Sequence, residues 1–314
     1  MAATTRWKDT IASQFDDIIN SLIDPVMSEE KITNITWENW VLSKHFAENQ
    51  HITLGGHDIE YNYILYAYDQ TSTSEISQDD RTIRKEGFII PYMSGGVINY
   101  IVDQNTSAMK LLRKLLSYTG RNEIAKNAFE FTDDFFMWLI YRVYDAKYNV
   151  ESVPLGKKLS IDSIKGFRGD TEDALTQVSA TGESVMNIIS TLSFILESSN
   201  LNQIKLHVGY TANENVSLKL QRGTVNIYFD EYQGQFEKEE SEQRTAKLYL
   251  TVYLEILPYL VQEYNTDIIN EAWGHTVKIS FMRDVADSLN EKVKNRIAAF
   301  VDENTKSIDG HSKA

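Results

Sequence analysis

The chain has 314 residues, with 31 Lys and Arg against 45 Asp and Glu, for a net charge of −14 at pH 7. Such a balance excludes a general coat for nucleic acid or anionic membrane, because that binding is carried by clustered Lys and Arg. Cysteine is absent, which excludes disulfide frameworks, thiolate nucleophiles and cysteine-ligated metal clusters.

The first element expected is an amphipathic helix, since Trp7, Ile11, Phe15, Ile18, Ile19 and Leu22 recur at three- and four-residue steps and Pro25 ends the run. A short second helix is expected after Thr36, with Trp37, Trp40 and Val41 on one side. Alternation then predicts a strand over 59–68, with Ile59, Tyr61, Tyr63 and Leu65 on one face and a polar loop over 70–86 behind it. Residues 88–92 and 97–102, joined through Ser94-Gly95-Gly96, predict a β-hairpin, and Pro91 places that strand at an edge or a bulge. Two helices follow. One spans about 106–118 with Leu111, Leu112, Leu115 and Leu116 inward; the other begins after a Thr132 cap. The stretch 145–158 loses periodicity and carries Pro154 and Gly156, which places a boundary between halves at 1–150 and 151–314.

The second half is expected to open with a strand at 159–164, a loop over 165–182 and a periodic helix from Val185 to Leu196. Three strands with short turns follow, marked by Ile204/Leu206/Val208, Val216/Leu218/Leu220 and Val225/Ile227/Phe229, with Asn213-Glu214-Asn215 read as the first turn. Helices are expected at 241–257, to Tyr264 beyond a bend at Pro258, and at 282–304 through Val285, Leu289, Val293, Ile297 and Phe300. The fold class is therefore α+β: mixed helices with a β-hairpin in the first half, and a helix-covered antiparallel sheet of three to four strands in the second.

Four groups of residues bear on function. Lys110, Arg113, Lys114, Arg121 and Lys126 face the single acid Glu123 between positions 106 and 128, which predicts a local contact for an anion, nucleic acid or an acidic partner. Asp230, Glu231 and Lys238 supply the residue types of a magnesium- or manganese-dependent nuclease or phosphoesterase, but the strict strand spacing of two acids and a lysine is missing, and an acidic run before a helix has the same composition. His51, His57 and Asp58 are candidate metal ligands around a Gly55-Gly56 turn. Gly166-Phe167-Arg168-Gly169 is a two-glycine loop able to approach an anion, or a plain strand-exit turn. Phosphate-loop, dinucleotide-binding and nucleophile-elbow patterns are absent. Asp9, Asp16, Asp17 and Asp24 interrupt the first apolar stretch, and Thr251, Glu255 and Pro258 interrupt the most apolar later one. The expectation is thus a soluble, cytoplasmic chain with no membrane and no cofactor, acting as a non-enzymatic binding or scaffold subunit with a protein partner. Its Ile-, Asn- and Lys-rich composition has a bacterial or viral flavour and suits host defence against mobile elements. The alternatives are the metal-dependent nuclease and an acidic regulator that mimics nucleic acid.

Overall fold

The computed structural model describes residues 3–26, 35–72, 81–104, 106–120, 122–171, 177–181, 196 and 198–311. The fold is α+β with two antiparallel sheets. The chain forms two compact units, each made of two segments: Met1–Glu130 with Gly223–Pro258, and Phe131–Arg222 with Tyr259–Ala314. The aperiodic stretch 145–158 falls inside the second unit.

Among the described residues one sheet, within the first unit, has eight strands, β1 (Thr5–Asp9), β2 (Ile35–Lys44), β3 (Gln50–Leu54), β4 (His57–Tyr61), β5 (Ile64–Ser72), β6 (Arg81–Ser94), β7 (Val97–Val102) and β8 (Ile124–Lys126). Their order is β2-β5-β6-β7-β1-β8, and the β3–β4 hairpin attaches through β4 to β6. Helices α1 (Phe15–Ile23) and α2 (Ala108–Leu115) bury Ile18, Leu22, Leu111 and Leu115 against Ile64, Tyr66, Ile98 and Tyr100. The β6–β7 hairpin forms as expected, with Gly95 at φ 58° and Gly96 at φ 76° supplying the paired positive φ of a two-residue turn. Pro91 lies where β6 changes partner from β5 to β4, so no regular ladder there needs its N–H.

Three expectations in this unit are corrected. Trp7 belongs to strand β1, not to the first helix. Asp9 Oδ1 accepts the N–H groups of Ile11 (2.9 Å) and Ala12 (2.8 Å), which turns the chain out of the strand before α1 starts. The Trp37/Trp40 segment is strand β2, not a helix. Asn39 and Trp40 together oppose the single residue Tyr68, and Asn39 takes φ 52°, so this is a bulge. The extra residue returns Trp40 to the face of Trp37, and both rings pack on Tyr68 at 4.6 and 4.9 Å; the bulge imitates a helical step. The strand expected over 59–68 breaks at Asn62, so Leu65 is exposed while Tyr66 and Tyr68 are buried, and residues 70–72 and 81–86 are strand rather than loop. Residues 73–80 lie outside the described set.

Gly87 and Asp103 share a tight corner of this unit. A Cβ on Gly87 would sit 2.5 Å from the Tyr66 hydroxyl and 3.2 Å from Asp103 Oδ2. Burial pushes the Asp103 carboxyl up from 3.8 to about 6. Below pH 3.8 both folded and unfolded chains hold this proton. Between there and about 6 the unfolded chain ionises first, so stability falls as pH rises, and the penalty is fully present above about 6. Asp103→Asn is therefore expected to raise Tm at neutral pH and to leave it unchanged at pH below the ordinary carboxylate range. Equal Tm shifts at both ends of a pH series of melting curves would refute this.

After β13 (Thr224–Ile227) comes a short turn, Phe229–Glu231, then α4 (Ser241–Thr251) and a π-helical turn, Val252–Ile256. The π turn ends two residues before Pro258, which has no N–H for the carbonyl four residues back. It carries Glu255 into the interior, where Oε1 accepts the Gly55 N–H at 2.7 Å.

The second unit contains α3 (Asp133–Tyr144), β9 (Leu159–Thr171), β10 (Gln177–Thr181), β11 (Ser198–Tyr210), β12 (Asn213–Gln221), α5 (Leu257–Ile269) and α6 (His275–His311). Thr132 caps α3 as expected, accepting the Phe135 N–H at 3.2 Å. The strands run β10-β9-β11-β12, and α3 packs on β9 and β11. Two expectations change. Residues 165–171 and 177–181 are strand, so Gly166-Phe167-Arg168-Gly169 is neither a loop nor a turn: Phe167 is buried and pairs with Ile204 and Ala180. Asn213 and Asn215 belong to β12, and the turn before them contains Thr211 at φ 52°. The helix expected from Val185 to Leu196 lies almost wholly outside the described residues.

Candidate functional site

Few of the residues singled out in the sequence come together. Lys110, Arg113 and Lys114 share α2, opposite its buried leucines, with Lys110 exposed and the other two half-buried. Arg113 Nε is buried and has no hydrogen-bond partner among the described residues. Lys126 sits apart on β8, paired with Glu130 at 3.0 Å, and Arg121 lies outside the described residues. Asp230 and Glu231 occupy the short turn after β13; Asp230 and Lys238 are exposed, and the neighbouring Glu239 is held by Lys247 at 2.6 Å. His51 and Asp58 are cross-strand neighbours on the exposed β3–β4 hairpin, with Nδ1 and Oδ2 2.8 Å apart, while His57 pairs with Leu54 at its turn. Among the described residues no three His, Asp or Glu side chains converge as a metal-binding group.

The feature that stands out is α6, at 37 residues roughly 55 Å long. Its first turns are fixed to the second unit. Asp134 accepts hydrogen bonds from Tyr264 Oη (2.7 Å), Trp273 Nε1 (3.2 Å) and Lys278 Nζ (2.6 Å). Phe281 packs edge-on against Tyr141 and Tyr144, and Tyr144 Oη meets Ser288 Oγ at 2.6 Å. Behind this contact Arg142 donates to Glu263 and Asp267 at 3.2 and 3.1 Å, and Glu263 also accepts from Ser152 Oγ at 2.6 Å, tying α5 to α3.

The sequence shows one apolar ridge on α6, Phe281, Val285, Leu289, Val293 and Ile297, at four-residue steps. Each such step overshoots a full turn by about 40°, so the ridge rotates by roughly 160° over its length. It starts against the unit and ends in solvent: Phe281 is 2% exposed, Val285 0%, Val293 39% and Ile297 58%. Of the apolar residues that marked the helix expected over 282–304, only Val285 is buried, and Phe300 is 51% exposed. Periodicity identified the apolar residues but not the point at which the covering side chains stop. Ile279, Met282 and Ala286 extend the exposed seam toward the helix start, where they line a shallow groove with His275, Lys278 and Arg283.

A comparison with protein-family models finds no match, and a comparison with curated proteins finds none. Among the described residues no helix is long and apolar enough to cross a membrane.

Proposed function

We propose that the chain is a non-enzymatic binding or scaffold subunit that engages a protein partner. The observation that carries this reading is the exposed seam on α6. Val293, Ile297 and Phe300 follow one another at helical spacing and all stand in solvent, whereas the same helix buries Phe281 and Val285 fully. Contiguous exposed apolar surface is unfavourable on an isolated soluble chain and is the usual mark of a contact surface. A helix presenting anchors at three- and four-residue steps is also a common recognition element.

The test is the size of the native species. In extracts of its own cells the wild-type chain is expected to elute well above its 36.0 kDa monomer mass, and an Ile297→Asp/Phe300→Asp variant at the monomer position with unchanged helicity. Elution of both at the same position would count against the proposal.

A further inference from the structure

We infer that the seam of α6 is built for an amphipathic helix whose flanks are acidic, a partner chemistry that rests on the function proposed above. The charges around the seam make the argument. Arg283 and Lys294 lie three helical turns apart and border it on one side. Lys278 and Arg296 lie five turns apart and border it on the other. Of the acids of this stretch, Asp284 and Glu291 fall on the face turned away from the seam, and Asp287 lies behind Arg283 and Lys294, farther from the seam than either.

Lys278 is already engaged by Asp134, and the guanidinium of Arg296 lies 4.5 Å above the Phe300 ring. Among the described residues Arg283, Lys294 and Arg296 have no ion-pair partner. In a chain of net charge −14 this is a local inversion of sign, placed on both borders of an apolar stripe. A second copy docking by the same seam would set cations against cations, which disfavours self-pairing. An anionic lipid surface would meet the same cations, but it would also repel the acidic bulk of the chain. A helix with an apolar face bordered by Asp and Glu satisfies both the seam and its rim.

The probes are two synthetic amphipathic helices with the same leucine face, one flanked by Glu and one by Lys, read by fluorescence anisotropy against the full chain. The Glu peptide is expected to bind about tenfold or more tighter than the Lys peptide, and to weaken as salt is raised. Ile297→Asp should abolish binding, and the combined Arg283→Glu, Lys294→Glu and Arg296→Glu variant should reverse the charge preference. These positions are exposed, so melting curves of the variants should match the wild type. Absence of binding, equal affinity for both peptides, or binding indifferent to Ile297→Asp would overturn the inference. So would seam-dependent binding to vesicles of equal phosphatidylcholine and phosphatidylserine in its place, or self-association lost in Ile297→Asp. If the native complex depends on Ile297 while the peptides show no charge preference, the acidic-helix inference fails and the scaffold reading stands.

Discussion

Replacing Arg142 by Met is expected to lower the unfolding free energy by about 3–5 kcal/mol, the usual consequence of removing one partner from a buried ion pair. Arg142 and Glu263 are both almost fully buried, and the Asp267 side chain is 15% exposed. The guanidinium donates to both carboxylates and to the carbonyls of Lys147 and Asn149, so it links α3, α5 and the loop between 145 and 152. Met fills similar volume, so the loss reports the stranded carboxylates rather than a cavity. Glu263 retains Ser152 and the Glu151 and Ser152 N–H groups, and Asp267 retains Trp138 Nε1 at 2.8 Å; neither retains a cation. Denaturant titration followed by near-UV circular dichroism measures the change. A loss below about 1 kcal/mol, the range of exposed ion pairs, would show that the cluster is solvated.

Asp9→Ala is the counterpart in the first unit, with an expected loss of about 3–5 kcal/mol. The Asp9 carboxylate is 3% exposed and accepts four hydrogen bonds: two from backbone N–H groups at the β1 exit, and two from the hydroxyls of Tyr100 (2.7 Å) and Tyr118 (2.8 Å). Burial, reinforced by the Asp9 charge, holds both phenols above their ordinary pKa, so they remain donors across the physiological range. Removing the acceptor strands two phenols, each costing about 1–3 kcal/mol where water cannot replace the carboxylate. Tyr118→Phe should recover part of the loss in the Asp9→Ala background, because one stranded hydroxyl is then gone. A double-mutant cycle with no coupling between Asp9 and Tyr118 would contradict this account.

These two clusters illustrate how unevenly the fold could be read from residues alone. Local signals carried well where one principle acted without competition. Thr132 capped α3, Gly95-Gly96 closed the β6–β7 hairpin, and the alternation of Ile204, Leu206 and Val208 marked a half-buried strand. Local signals misled where tertiary pairing overrode them. The Trp37/Trp40 spacing is helical by count, but a bulge at Asn39 produces the same one-sidedness in a strand. Trp7 continues the apolar period of α1, yet pairing of β1 with β7 and β8 claims it. The candidate sites fared similarly. Lys110, Arg113 and Lys114 do project from one helix, but nothing in their spacing could show that Lys126 would sit on a separate strand beside Glu130. The α6 seam was visible as composition and invisible as exposure, because a rotating ridge reads as core along its whole length.

The most direct test of α6 as a docking face is site-specific photo-crosslinking of the full chain in its native cells, comparing position 297 on the seam with position 291 on the acidic face. A discrete adduct of a single added mass is expected from position 297, absent from position 291 and lost when Val293→Asp is added. Adducts of equal yield from both positions, or none from either, would contradict the account.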